Sequence, residues 1–563
     1  MMKITPIFKG KGSRKKLENQ RGIFITQVIC KIWERLIMAR VKDVTSKINN
    51  LQAGSRKNKS TSDQIFLLRS CINHAKYLNF PLYLNFYDFK QCFDKLWLHD
   101  SIISLYKLGL SNENLALLYK TNQKARITVN TPLGNSQIFN KLSIVKQGSV
   151  AASSLCSAST GEFCDEHKIG GISIGEVSIN CLAYVDDLTT INTDINDSNE
   201  SHNKVCFFAN KKRLTLNEDK CYTLPVNSSY LDPLPTHSIN GKPITTVKQI
   251  KYLGDIFNTK NTYKDMIADR VRKGTICTVN SIAICNDSEM GKYAIKSLIL
   301  LYNTVLLPTI LFNSETWCGL TKNDHTRLHS IQTKYLKWIL HTPKGTCNSF
   351  TLLELGILPI EHEIAIRKLR FLHHILNLDD HDPVKLIFQQ QKKYQHESNW
   401  ANEIITLLHK YSLPSQEYII KDTQIIKWKN LVKSAVTQVA LLELYQNCIT
   451  KKKTSSIPPY QQLSIQSYFN FLSPTQARTY FQLRAGVYDL KINCPYLYTD
   501  STCRLCNNER EDIDHVLNQC NMIQRYNTKN INDIFNLTEE DTREIVNRIL
   551  NFKVQVVDKE ITE

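Results

Sequence analysis

The chain lacks any long uninterrupted apolar run. Its longest, "AIKSLILLYNTVLLPTILF" at 294–312, is broken by Lys296, Asn303 and Pro308. Those breaks exclude a membrane span and suit a buried helix ending near the proline. The N-terminal "MMKITPIFKGKGSRKK" has no apolar core of the kind a secretion signal needs. No repeat period runs through the sequence. Acidic residues are scarce beside basic ones, 52 against 71, for a formal net charge of +19. Such a deficit fits a polyanion binder, nucleic acid above all, and equally a plain soluble basic protein.

What is present is enough for real cores. The 563 residues are 42% hydrophobic, which implies several domains and excludes a disordered tail protein. The 17 cysteines are odd in number and mostly scattered through apolar segments, as at Cys156, Cys181 and Cys285. That usage predicts free thiols in a reducing, intracellular compartment, nucleus or cytoplasm. Helices are predicted over 25–48, with Ile29, Trp33, Leu36 and Val41 at helical spacing, and over 64–78. "FPLYLNFYDF" (80–89) reads as a buried strand ending at Asp88, and 125–140 as a hairpin turning at Pro-Leu-Gly-Asn-Ser. Residues 177–185 and 188–192 read as two strands, and 265–450 as almost wholly helical. "KKKTSSIPPY" (451–460) reads as a linker.

Asp186 and Asp187 stand side by side in "CLAYVDDLTT" (181–190). At a hairpin turn their carboxylates converge, and about 4 Å of separation costs several kcal/mol at an effective dielectric near 20. Mg²⁺ shared with substrate phosphates offsets that repulsion. An ordinary acidic turn explains the pair as simply. Asp88 shifts the balance, because a carboxylate at a strand's end meets the pair only if both strands share a sheet. Two Mg²⁺ held by Asp88, Asp186 and Asp187 suit activation of a 3′-hydroxyl and stabilisation of leaving pyrophosphate.

Near the C-terminus, Cys503, Cys506, His515 and Cys520 are spaced C-x2-C-x8-H-x4-C. Four N/S ligands so placed favour structural Zn²⁺, and four buried residues of a helical domain are the plainer reading. A four-ligand site is closed, which suits a folding or nucleic-acid-gripping role and not catalysis.

The order of these motifs resembles the reverse transcriptases of LINE-type, non-LTR retrotransposons. "YVDD" (184–187) is similar to the family's Tyr-x-Asp-Asp box, and "YDFKQCFDKLW" (87–97) to its first catalytic motif, which carries the metal-binding role to Asp88. "VKQGSVAASSL" (145–155) resembles the template and dNTP pocket motif, giving Gln147, Gly148 and Ser149. "LTLNEDK" (214–220) gives Asn217 and Lys220, and "IKYLGDIF" (250–257) resembles the primer grip at Tyr252, Leu253 and Gly254. "PIFKGKGSRKKLENQRGIFI" resembles the fingers segment, with Lys9 and Arg21 at triphosphate-contacting positions, and "QAGSRKNKSTSDQ" (52–64) the Gln-x-Gly-Phe-Arg motif. "LFNSETWCGL" (311–320) and "LLELGILPI" (352–360) look like the helical region after the polymerase core. The cysteine cluster resembles these polymerases' C-terminal knuckle.

The resemblance implies an α+β right-hand polymerase: partial fingers at 1–80, a palm with an antiparallel sheet at 80–260, a helical thumb at 261–450, and a mostly helical C-terminal region with a zinc knuckle at 461–563. It implies RNA-directed DNA synthesis, copying an RNA template onto a DNA primer from dNTPs. Phe93 falls where the family keeps an aromatic against the ribose 2′-hydroxyl, and a core aromatic explains it equally. Lys220 falls beside the leaving pyrophosphate, though an exposed lysine is the plainer reading. A magnesium phosphohydrolase needs two acids but leaves the other motifs unexplained.

Departures are visible at Ser55, Ile144, Ala152 and Ser153, and the chain starts within the fingers motif. They point to a truncated or decaying copy, with a non-enzymatic nucleic-acid-binding remnant as the alternative. Neither end leaves room for an endonuclease, which a partner is then expected to supply.

Overall fold

A computed structural model describes residues 2–10, 12–16, 19–131, 134–142, 145–146, 148–227, 237–239, 241–287, 295–394, 399–523 and 534–562. The chain divides into two units. The first comprises 1–265, 316–319 and 374–403, and the second 266–315, 320–373 and 404–563.

The first unit is built on strand Leu82–Tyr87, whose six residues are all buried. A strand covered on both faces needs apolar residues throughout, and "LYLNFY" supplies them except at Asn85. Asn85 is satisfied in place: its amide donates to Ser198 Oγ (3.0 Å), and its oxygen accepts from Thr223 Oγ1 (2.9 Å). Around this strand runs a six-stranded sheet in the order 237–239, 242–246, 222–226, 82–87, 187–192, 181–184. Every neighbouring pair is antiparallel except 222–226 with 242–246. Helices Leu98–Lys107, Ala152–Glu166 and Ile195–Lys211 bring Ile102, Leu155 and Phe208 into the core shared with Tyr87 and Leu188. A second sheet joins strands 2–8, 20–25, 124–131, 134–135 and 139–142. Helix Thr61–Tyr77 starts from a capping box between Ser60 and Asp63. It is held to residues 374–403 by His374 on Asp63 (2.8 Å), the Lys59–Asp382 ion pair and Phe66 edge-on to Trp400.

Several elements differ from the sequence reading. Residues 177–185 are not one strand. Val177–Ile179 pairs with Ile172–Ile174 across a turn at Gly175 (φ 62°), and a new strand begins at Cys181. Helix Val28–Arg40 buries Glu34 and Ile37, while Ile29, Trp33 and Leu36 of the expected apolar face lie exposed. Glu34 is drawn inward because its carboxylate accepts from the Val150 N–H (2.8 Å).

The second unit is helical among the described residues. Ile295–Ile310 is continuous helix through a widened turn at 302–306, so Pro308 sits where its missing N–H costs little. No described helix is long and apolar enough to cross a membrane. Helix Ile425–Ile449 buries Trp428, Val432, Val436, Ala440, Leu444 and Cys448, one residue every turn. The stretch read as a linker is packed: Thr454 and Ile457 are buried, and the Tyr460 hydroxyl bonds Glu354. Glu354 also accepts from Tyr468 (2.7 Å) and from Arg484 Nη2 (2.9 Å), and these three residues are buried.

Candidate active site and metal centre

The three acids meet at one end of the six-stranded sheet. Asp88 follows strand 82–87 directly, and Leu188 pairs with Tyr87, so Asp187 and Asp88 are the next residues outward on neighbouring strands. Tyr184 pairs with Asp187, which leaves Val185 and Asp186 as a two-residue turn. The carboxylates feel one another. Burial first, then the charges of Asp186 and Asp88, push the Asp187 carboxyl up to about 7, although the residue keeps a solvent-exposed edge. Burial and the Asp88 charge likewise push Asp186 up, opposed by a backbone N–H and by the Arg21 guanidinium. Crowded acids of this kind release that strain to a divalent cation.

Asp88 is bracketed by the 214–220 segment. Its backbone carbonyl accepts from the Asn217 N–H (2.7 Å), and its carboxylate accepts from Asn217 Nδ2 (2.8 Å), with Lys220 Nζ at 3.5 Å.

The turn itself is held by residues that the motif reading passed over. Val185 has φ of 59°, the left-handed region that a β-branched residue rarely adopts. Gln52 clamps it: the Val185 N–H donates to Gln52 Oε1 (2.9 Å), and Gln52 Nε2 donates to the Val185 carbonyl (3.1 Å). Thr160 Oγ1 donates to the same carbonyl (2.7 Å). The 51–53 backbone bonds the edge strand through Ala183 in both directions. Gly54 comes so close that a Cβ there would stand 2.2 Å from the Val185 nitrogen. The Gln-x-Gly of the 52–64 motif was the available signal. Ser55, standing for the motif's Phe, is exposed at φ 55°.

The remaining expected residues are dispersed around this end of the sheet. Arg21 lies on strand 20–25, and its charge reaches Asp186. Lys9 lies exposed just past strand 2–8. Phe93 is half-buried against the core that includes Tyr87 and Leu188. Gly148 (φ 102°) lies against strand 20–25, where a Cβ would stand 3.0 Å from the Phe24 carbonyl oxygen. Gln147 lies outside the described residues. Tyr252 is buried beside Phe86, and its hydroxyl is pushed up by burial and by the charge of Asp187. Leu253 and Gly254 form the tight turn between strands 249–252 and 255–258.

In the second unit, the ligand atoms of Cys503, Cys506, His515 and Cys520 all lie within 4.8 Å of one another, a set that could hold a metal ion. Cys506 Sγ is 3.3 Å from His515 Nε2, and Cys503 Sγ is 4.0 Å from Cys520 Sγ. His515 Nδ1 is 3.0 Å from Glu509, an outer carboxylate that orients a ligating imidazole. Ile549 and Phe552 of helix Glu539–Thr562 pack with this cluster.

Comparison with known proteins adds family evidence. Residues 11–257 match the reverse transcriptase (RNA-dependent DNA polymerase) family. The RNA-directed DNA polymerase from mobile element jockey of Drosophila funebris is 24% identical over 58% of this chain and 36% of its own length. The probable RNA-directed DNA polymerase from transposon BS of Drosophila melanogaster is 22% identical over 66% of this chain and 42% of its own. The chain therefore spans about two fifths of the curated relatives it matches. A solved telomerase from Candida tropicalis, in complex with a fragment of telomeric RNA, is 12% identical. It covers 77% of this chain and 63% of its own, with a TM-score of 0.35, too distant to carry an argument.

Proposed function

We propose that this chain, whose residues 11–257 match the reverse transcriptase family, is an RNA-directed DNA polymerase of the LINE type, as its similarity to the jockey and BS polymerases supports. The observation that carries this reading is the convergence of Asp88, Asp186 and Asp187, with Asp187 held near 7 by burial and its neighbours' charges. Two Mg²⁺ fit the donor set, and when bound they supply a lowered 3′-hydroxyl pKa and charge neutralisation at the triphosphate. The protein's own residues do the rest. Gln52 and Thr160 fix the turn that presents Asp186, and Asn217 orients Asp88. Lys220, 65% exposed at its side chain, is free to swing toward the leaving pyrophosphate as charge partner or proton donor. Arg21, beside Asp186, meets the incoming triphosphate.

In this reading the first unit supplies palm and fingers residues, with strands 2–8 and 20–25 as the fingers ribbon. The helical stretch 261–450 supplies the thumb and connection region, and Tyr252 to Gly254 the primer grip. Template, primer and dNTPs are the partners, inside the cell. The Cys-Cys-His-Cys set holds Zn²⁺, with Glu509 behind His515, and stabilises the C-terminal region.

Primer extension on poly(rA) with an oligo(dT) primer and Mg²⁺ tests the reading. Incorporation by the parent, lost by at least about a hundredfold in Asp186→Asn, is expected. A parent that binds RNA and incorporates nothing would mark a non-catalytic remnant.

A further inference from the structure

The second unit carries a basic cavity of about 750 Å³ whose lining lies outside the carboxylate site. One face of helix Lys322–Ile339 forms its wall, and the opposite face buries Leu328, Ile331, Tyr335, Leu336 and Ile339 in the core. The cavity face is polar where a solvated helix would mix charges. Lys334, Lys337, Lys344 and Lys451 line it, with Trp338 and His341, several hydroxyls and no carboxylate. Lys334, His341, Lys344 and Lys451 are exposed, and Lys337 and Trp338 half-buried.

Four ammonium groups around one hollow give it a local positive charge that favours an anion. Burial, and the nearby Lys451 charge, push Lys337 below its ordinary value against the opposing Cys347 thiol. Lys337 Nζ donates to the Lys344 carbonyl (2.6 Å), so the 342–346 turn is tied to the helix and the cavity's shape is preset. Trp338 sets an indole among the amines, one stacking plane beside several phosphate-binding charges. That pairing suits a nucleotide strand better than an acidic peptide, which offers carboxylates but no base to stack.

We propose that this cavity binds single-stranded nucleic acid, with lysine ammonium groups on successive phosphates and Trp338 against a base. The proposal rests on the polymerase reading and deepens it: the cavity lies on helix Lys322–Ile339, in the region read as thumb, and uses none of the carboxylates.

The test uses the full chain and a labelled single-stranded RNA oligonucleotide of about 20 residues, then DNA of the same sequence, read by fluorescence anisotropy across a salt series. Lys334→Gln/Lys344→Gln/Lys451→Gln alters only exposed side chains, and an unchanged melting curve checks its fold. It should weaken binding about tenfold or more and flatten the log–log salt slope by about 2, from roughly 0.7 per phosphate. Trp338→Ala should weaken binding about tenfold, and Trp338→Phe should restore most of it. Binding and slope unchanged in both the triple variant and Trp338→Ala would overturn the proposal, as would polyglutamate displacing RNA at equal charge concentration. Asp186→Asn should bind RNA as the parent does. The cavity is thus judged by binding alone, whatever primer extension shows.

Discussion

Val185 has no side-chain chemistry to offer, yet its conformation decides where Asp186 points. A β-branched residue at φ 59° costs on the order of 1–3 kcal/mol and persists only when its surroundings over-determine it. Here the buried Gln52 amide satisfies both of its backbone groups, and Thr160 adds a third bond. Gln52→Ala should cost about 1–3 kcal/mol through the unpaired backbone groups. It should also lower kcat for incorporation by at least about tenfold while RNA affinity holds. Primer-extension kinetics beside anisotropy separate the two effects. An equal loss in both would mean that Gln52 serves stability alone.

At the scale of elements, helix Ala152–Glu166 links this site to the core around Tyr87 and Leu188, and His167 marks its end. The imidazole is buried and stacked on Phe163 (centroids 4.8 Å apart), with Lys204 and Lys168 nearby. Burial, then those two charges, pull it down to about 4. A histidine whose folded pKa is depressed takes up its proton on unfolding. Its contribution is therefore whole above about 6.5 and is lost as pH falls toward 4, on the order of 3 kcal/mol across that window. Chemical denaturation at pH 7, 5.5 and 4.5 should show that fall in the parent, and a shallower one in His167→Phe.

Elements were legible where local pattern and environment agree. "LYLNFY" could only be a buried strand, and Asp88 at its end followed. The Asp pair flanked by β-prone residues announced a hairpin, though Gly175 diverted residues 177–179 into another ribbon. The Gln52 clamp joins positions 133 apart and leaves no periodic trace. The 28–40 helix misled because its apolar stripe faces outward and a carboxylate faces in, a choice made by the Val150 amide.

At the scale of the molecule, the packed 451–460 stretch shows why composition alone misplaced a boundary. Lysines, serines and paired prolines look like tether, but the Tyr460 hydroxyl bonds the Glu354 carboxylate that Arg484 neutralises. Ser464 packs so tightly against Gly356 that a Cβ there would stand 2.3 Å from its carbonyl carbon. Glu354→Gln should leave Arg484 buried without its counter-charge and cost about 3–5 kcal/mol. Urea unfolding of the full chain should show a lower midpoint with the slope unchanged; an unmoved midpoint would mean that the pair contributes little.

The Gln52 clamp also bears on how mobile elements lose function. Copies drift by random substitution, and those that keep Tyr-Val-Asp-Asp are readily counted as live. On the polymerase reading, a single change at Gln52 or Gly54, more than a hundred positions upstream, would impair synthesis while leaving the signature untouched. Inventories that score the Gln-x-Gly triplet together with the Asp pair should separate competent copies from relics more cleanly than the signature alone.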